Sequence, residues 1–216
     1  MKEGDIVLVD FVGRIKETGE IFDVTIEQVA KENGIHNHDF IYKPIPVIIG
    51  SHMIIKGVEN ELTKMNVNEK RKIIVKPEDG FGNRSEKMIR LIPLAEFKKQ
   101  DMDPYPGMPV TINGLNGRVM SISGGRVKVD FNHILSGKEL EYDLEIKKLV
   151  EKPEEKIQAI FNIFVKTKND VKVEITNNRA DIFDNHSLPK EVKKDIFEAI
   201  KKWVGVSKVR FIEEFE

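Results

Sequence analysis

The stretch Ile54-Ile55-Lys56-Gly57-Val58-Glu59-Asn60-Glu61-Leu62-Thr63-Lys64-Met65 decides the fold. Ile54, Val58, Leu62 and Met65 recur at helical spacing on one face, which predicts one short amphipathic helix. Strands flank it. Pro46 to Gly50 reads as a short apolar strand before it, and Lys70 to Lys76, with Ile73-Ile74-Val75, as a strand after it that stops at Pro77. Upstream, Ile6 to Ile15 carries Val7, Val9 and Phe11 on one face and Ile6, Leu8 and Val12 on the other, so both faces of that strand should be covered. Lys16-Glu17-Thr18-Gly19 ends it in a turn. Thr25 followed by Gln28 is a capping-box pattern for a second short helix through Lys31, closed by Gly34 in a left-handed conformation.

Downstream the texture changes. Pro93 starts a helical turn within Arg90 to Phe97, and Pro104, Pro106 and Pro109 break the next stretch. Asn113-Gly114, Asn116-Gly117 and Gly124-Gly125 punctuate short strands such as Arg118 to Ser121 and Val127 to Phe131, the marks of a small all-β unit. Leu140, Tyr142, Leu144 and Ile146 then alternate with acids, a half-buried antiparallel strand. Glu151-Lys152-Pro153-Glu154-Glu155-Lys156 reads as a boundary. Beyond it, Ile157 to Val165 is helix or strand, since periodicity does not decide a short apolar run. Val171 to Ile175 is strand-like, Pro189 starts a helix bearing Val192, Ile196, Ile200 and Trp203, and a last strand lies near Val209 to Phe215.

Composition excludes several chemistries. Of 216 residues, 35 are Lys or Arg and 36 Asp or Glu, a net charge of -1, so the basic field of a general nucleic-acid binder is missing. Cysteine is absent, which removes disulfides, thiolate catalysis and cysteine-held metals. No run approaches the ~18 apolar residues of a membrane span, and Lys2, Glu3 and Asp5 stand where a signal peptide needs apolar residues, so a soluble, cytoplasmic protein is expected.

Individual motifs are weak. His36, His38 and Asp39 have metal-ligand types at close spacing, but a solvated loop explains them as well. Asp101-Met102-Asp103 lacks the glycine and distal glutamate of a calcium loop. There is no nucleophile elbow, phosphate loop or dinucleotide fingerprint, and Gly80-Phe81-Gly82 and Gly124-Gly125 read as turns. Glu59/Glu61 and Glu213/Glu214 say nothing about acid–base work in so charged a chain. Lys193/Lys194 and Lys201/Lys202 read as the wet face of their helix. No cofactor and no metal is expected.

In order, Val9-Asp10-Phe11-Val12-Gly13, Gly19-Glu20-Ile21-Phe22-Asp23, Ile49-Gly50, Ile54 to Glu59 and Pro77-Glu78-Asp79-Gly80-Phe81-Gly82 resemble the FKBP-type peptidyl-prolyl cis-trans isomerases. Asn132 to Leu140 is similar to the segment by which SlyD-like members return from a domain inserted in the flap. The resemblance covers about 1–150, and the last third is likened to the long archaeal members. It implies an α+β fold: a twisted antiparallel sheet around one short helix, a small β-rich domain inserted in the flap, and a separate C-terminal α+β domain. The implied boundaries are 1–83 plus 134–151 for the isomerase domain, 84–133 for the insert and 152–216 for the C-terminal domain.

The same resemblance implies the site. Asp23, Phe22, Ile55, Phe81 and Tyr142 would be catalytic, with Phe11, Ile45, Ile54, Val58 and Ile134 binding substrate. The Ile55 N–H would hold a substrate carbonyl, Asp23 would meet the twisted amide or orient polar groups, and Phe22, Val58 and Tyr142 would pack the prolyl ring. Read alone, the apolar members are core residues, and Asp23, an acid between Phe22 and Val24, is what strains that reading. Phe81 stands where the family usually has Tyr, Val58 where many members have an aromatic floor, and Phe11 replaces a common Tyr, so modest activity on short peptides is expected.

In the insert, Met88, Ile89, Leu91, Leu94, Phe97, Met102 and Met108 are the expected chaperone surface. Methionine suits promiscuous contacts but equally fills small cores. The partners implied are unfolded proteins with X–Pro bonds, and a homodimer through the C-terminal domain, where Trp203, Phe211 and Phe215 offer apolar surface. No nucleic-acid or membrane partner is expected, and without a histidine- and cysteine-rich tail nickel handling is not implied. The competing reading is a non-catalytic FKBP scaffold used as a holdase or assembly factor.

Overall fold

The computed structural model describes residues 1–167 and 169–213. In chain order its elements are β1 (Ile6–Ile15), β2 (Ile21–Val24), α1 (Glu27–Glu32), β3 (Ile45–Ile48), α2 (Lys56–Leu62), β4 (Lys70–Val75), β5 (Ile89–Pro93), α3 (Leu94–Lys98), β6 (Pro109–Ile112), β7 (Leu115–Ser123), β8 (Arg126–Asp130), β9 (Leu140–Val150), α4 (Pro153–Phe164), β10 (Lys172–Thr176), β11 (Arg179–Phe183), α5 (Lys190–Trp203) and β12 (Lys208–Ile212). The chain divides into two compact units, residues 1–75 with everything from 141 onward, and residues 76–140. The α+β class is as expected.

In the first unit, the sheet runs β2-β1-β9-β4, with β3 also paired to β1. Pairing of β1 with β3 is antiparallel, Ile6 opposite Ile48 and Val9 opposite Ile45. On β2, Gly13 faces Asp23 and a register shift follows at Arg14. The helix α2 turns Val58 and Leu62 inward as its spacing predicts. It approaches β4 so closely that a Cβ on Gly57 would lie 2.6 Å from Val75 Cγ1, a distance only glycine permits. One expectation fails locally. Thr25 does not cap α1, which follows Ile26 without a side-chain cap; its hydroxyl donates instead to Asp10 and accepts the Phe11 N–H, tying β1 to the end of β2.

Residues beyond 152 do not stand apart as a separate domain. They belong to the same compact unit as β1, and one core joins Ile6, Ile48 and Val150 to Ile157, Ile160 and Phe161 of α4 and to Ile182, Ile196 and Ile200. The reason lies in β1, whose second apolar face needs a cover. The ambiguous Ile157 to Val165 run is the helix α4, opened by Pro153 in its first turn. A three-stranded sheet, β10-β11-β12, follows. Asn177 and Asn178, both at positive φ, turn the chain between β10 and the unforeseen β11. β12 runs parallel to β11 with α5 as the crossover, placing Arg210 opposite Asp181. Phe215 lies outside the described residues.

The second unit holds a four-stranded antiparallel sheet, β5-β8-β7-β6. Its hairpins turn at Asn113-Gly114 and Gly124-Gly125, all four residues at positive φ, as two-residue hairpin loops demand. Phe97 of α3 is 1% exposed in a core with Val110, Val119, Val127, Val129 and Phe131. The two ends of the sheet region are clasped together. The side chain of Asn132 accepts the Ser85 N–H at 2.8 Å and donates to the Ser85 carbonyl at 3.0 Å.

Two consequences are measurable. Phe161→Ala should cost about 3–5 kcal/mol and lower the denaturant midpoint of the unit carrying β1 as one transition, because its core continues into β1 and β3. Asp181 is gripped by the Arg210 fork at 2.7 and 2.6 Å and by Arg179, which holds its carboxyl at about 2 against an ordinary 3.8. A depressed carboxylate stabilises the fold above its ordinary pKa and loses that contribution as pH falls towards 2. Asp181→Asn should therefore lower the urea midpoint at pH 7, and the gap to wild type should close on acidification through that window.

Candidate functional site

Gly13 organises the site by what it lacks. A Cβ there would come within 2.8 Å of the Phe22 ring and 2.9 Å of the Tyr142 ring, so the bare backbone lets both rings close onto β1. Tyr142 meets Phe22 edge-on at 5.7 Å and 82°, and Phe11 at 6.0 Å and 53°, arrangements that aromatic quadrupoles favour. The three rings are brought together from β1, β2 and β9.

A cavity of about 310 Å³ opens beside Phe11, at the lower end of the ~300–1,000 Å³ usual for ligand pockets. Phe11, Asp23, Ile45 and Ile54 line it, with Thr25, Phe40, Met53 and, from the C-terminal segment, Asn162, Ile163, Lys166 and Thr167. Phe22 and Asp23 also border a smaller hollow with Ile35, Phe40 and Tyr42. Asp23 thus stands between the two hollows. Desolvation raises its pKa above the ordinary 3.8, while the Val24 backbone N–H and the charge of Lys166 pull the other way. Burial pushes the Tyr142 hydroxyl up, and the Asp23 charge adds to this, so the phenol stays protonated at physiological pH.

Ile55 ends an extended segment, φ -61 and ψ 140, directly before α2. Its carbonyl is used by the N–H groups of Val58 and Glu59. Val58 is 7% exposed, a member of the helix's buried face that does not line the cavity. The loop entering this segment is held by Glu59, a buried carboxylate that accepts the Gly50 N–H at 3.0 Å, the His52 N–H at 3.1 Å and the His52 ring at 2.9 Å. His52 adopts φ 57, a left-handed conformation that costs a non-glycine residue energy; the Glu59 contacts hold it there.

Phe81 and Ile134 belong to the other compact unit. There Phe81 stacks on His133 at 4.4 Å, the rings parallel to within 1°, and Ile134 is 65% exposed. Within the expected chaperone surface, Phe97 is a core residue, a correction that follows from its helix covering one face of the sheet. Met88, Leu94, Met102 and Met108 pack partly against that core and Ile89 is half-buried. Leu91 is the exposed member, at 61%. Met120, one of the insert's methionines, is exposed too, as are Tyr105, Leu115 and Ile122, which the sequence did not single out.

Sequence reasoning also missed Glu59 as a loop clasp, Gly13 as the seat of the rings, and the contribution of Lys166. The signal for Glu59 was its place beside Val58 on the inward face of α2. Around the loop histidines, His36 stacks on Tyr42 at 5.3 Å, meets His38 at 4.7 Å and contacts Glu27 at 3.2 Å. Among the described residues no group of three or more His, Asp or Glu is gathered as a metal ion requires. No described helix is long and apolar enough to cross a membrane.

Comparison with known proteins adds the following. The family model described as FKBP26, IF domain, matches residues 90–135. The chain is 35% identical over 147 residues to the short-type peptidyl-prolyl cis-trans isomerase of Methanocaldococcus jannaschii, covering 68% of this chain and 92% of that one. It is 31% identical over 135 residues to a probable FKBP-type 16 kDa peptidyl-prolyl cis-trans isomerase of Pseudomonas fluorescens, covering 59% and 89%. To the FKBP-type isomerase SlyD of Helicobacter pylori it is 27% identical over 142 residues, covering 62% and 76%.

The raised pKa of Asp23 carries a stability consequence. Its ionised form is disfavoured by the fold, so the carboxylate opposes folding at pH values above its folded pKa and ceases to do so once protonated in both states. Asp23→Asn should raise the denaturant midpoint at pH 7, with the difference shrinking as pH falls below the ordinary carboxylate value.

Proposed function

The chain belongs to the FKBP-type peptidyl-prolyl cis-trans isomerases and acts on X–Pro bonds, and from that premise we propose that Asp23 and the Phe11, Phe22 and Tyr142 rings form the place where the bond turns. One observation carries the proposal: the Phe22 and Tyr142 rings close on Gly13, and Phe11, against Tyr142, borders a small cavity with a desolvated carboxylate on its wall. The reaction needs no nucleophile. Rotation faces a barrier of ~18–20 kcal/mol because amide resonance must be lost. A site that binds the twisted amide better than either planar form suffices, and roughly 4–7 kcal/mol of such preference gives about a thousand- to hundred-thousand-fold.

The apolar wall of Phe11, Ile45 and Ile54 seats the prolyl ring and excludes water, which strengthens polar contacts at the reacting amide. The rings of Phe22 and Tyr142 hold Phe11 in place and close the floor behind it. The Ile55 N–H donates to the carbonyl of the substrate. Asp23 faces the amide, whose nitrogen gains basicity as resonance is lost. Val58 supplies little floor because α2 buries it, and Phe81 brings no hydroxyl, so turnover of short peptides is modest.

Residues 84–133 act as a chaperone module in this reading. Leu91, Met120 and Ile122 are the exposed apolar side chains that would hold unfolded segments weakly, raising their effective concentration at the prolyl site. Clients are unfolded or partly folded chains with X–Pro bonds, met in the cytoplasm. The same exposed side chains favour a second reading, a holdase in which catalysis is minor. A homodimer through residues 152–216 has less behind it, since Trp203 and Phe211 pack on the chain's own core.

Phe22→Ala and a deletion of 84–131, with Asn83 and Asn132 joined by a short linker, separate these readings. Phe22→Ala should lower kcat/KM on a prolyl tetrapeptide by at least about tenfold, the worth of ~1.4 kcal/mol, and leave suppression of aggregation intact. The deletion should spare tetrapeptide turnover and abolish the acceleration of proline-limited refolding. Unchanged refolding catalysis in Phe22→Ala would support the holdase.

A further inference from the structure

The wall of the cavity that the family resemblance does not describe comes from the C-terminal segment, and it is cationic. Asn162 and Ile163 of α4, then Lys166 and Thr167, border the same cavity as Phe11, Asp23 and Ile54. This wall is fastened. Lys43, from the segment before β3, donates to the Thr167 carbonyl at 2.8 Å. The Thr167 hydroxyl donates to the Asn169 carbonyl at 2.8 Å and lies 3.2 Å from Asn162 Oδ1, and Thr167 is 5% exposed. Asn162 in turn donates to Asp170 at 2.9 Å. Lys166 is placed by this framework on the cavity rim, its ammonium 5.4 Å from the centroid of the Phe40 ring.

The charges bordering the cavity are therefore Lys43, Lys166 and Asp23, two cations against one carboxylate. Lys43 spends its contact on a neutral carbonyl, so its charge is not cancelled there. Lys166 is exposed and free to follow a substrate. Resting on the assignment of this cavity as the prolyl site, we infer that Lys166, supported by Lys43, is a specificity-determining residue that favours an acidic side chain next to the substrate proline and disfavours a basic one.

The mechanism is electrostatic. A peptide with its prolyl ring between Phe11 and Ile54 runs its neighbouring residues past the rim, where the Lys166 ammonium stands 5.4 Å from the Phe40 ring centroid. The Asp23 carboxylate opposes an acidic substrate, but it is a wall group of the same cavity that Lys166 borders, so the two opposite charges face the substrate together. A partly exposed charge pair of this kind changes relative rates by about two- to fivefold, and added salt weakens it.

The test uses the full-length protein and tetrapeptides alike except for Ala, Glu or Lys before proline, followed by exchange NMR. The readout is the ratio of kcat/KM for Glu–Pro over Lys–Pro within each protein, which is insensitive to a general loss of activity. Wild type should show a ratio of about two to five at low salt, compressed at high salt. Lys166→Ala should bring it to near one and Lys166→Glu should invert it. A wild-type ratio near one, a ratio that salt does not move, or one that Lys166→Glu leaves unchanged overturns the inference while Ala–Pro turnover keeps the isomerase site standing. Absence of turnover with every peptide overturns the isomerase assignment, and the inference with it.

Discussion

The strand Ile6–Ile15 has to be covered on both faces, and the rest of its compact unit answers that requirement. Ile6 and Val7 are both fully buried although they point in opposite directions. A strand in a sheet with one wet face would alternate. Here one face joins the core of α4, β11 and α5, and the strand continues into Phe11 and Gly13 at the site. Hydrophobic burial thus fixes where the C-terminal helix must lie. Once α4 is laid on β1 and β3, its last turn and the residues after it fall at the rim of the cavity that Phe11 begins. Packing, rather than any recognition motif, makes the site composite.

Within that site, stability and chemistry pull in opposite directions. Asp23 is partly desolvated beside apolar neighbours, which the ionised form resists. His52 stands at a positive φ a few residues before Ile54 and Ile55. Both are local conflicts of the kind that cluster where function overrides stability. Each has a support from elsewhere in the fold: Lys166 and the Val24 N–H for Asp23, and the buried carboxylate of Glu59 for the His52 loop. Gly13 is the opposite device, an absence that costs conformational freedom but brings the two rings within reach of the backbone.

Elements with a clear period were legible from the sequence: α2 from Ile54, Val58 and Leu62, β9 from its alternation, and the hairpins of residues 109–130 from their Asn-Gly and Gly-Gly turns. The boundary expected at 151–156 rested on the linker-like composition of Glu151-Lys152-Pro153-Glu154-Glu155-Lys156, whereas the residues on both sides of it fall in one compact unit. The run leads through Lys152 as the N-cap into the wet first turn of α4, with Lys148 and Glu155 paired across it, and composition does not distinguish a solvated turn from a tether. Strand β11 escaped notice because Asp181 and Arg179 break its apolar pattern, although Asp181 is satisfied by both Arg179 and Arg210. The candidate site could be named only through likeness to a family. By pattern alone Phe11, Phe22 and Tyr142 are core residues, and nothing local links Lys166 to Asp23.

The insertion poses a separate physical question: how a folded unit is accommodated between two strands of an existing sheet. β4 and β9 are neighbours in the sheet, and a tight turn would join them if residues 76–140 were absent. The solution is a neck whose two strands are bonded to one another. Met88 accepts the Phe131 N–H, Ser85 is bonded twice by Asn132, and Ile89 pairs with Asp130. Because chain enters and leaves at nearly one point, the unit adds little loop-closure entropy to the sheet it interrupts. Its own core around Phe97 then folds without borrowing apolar side chains from elsewhere.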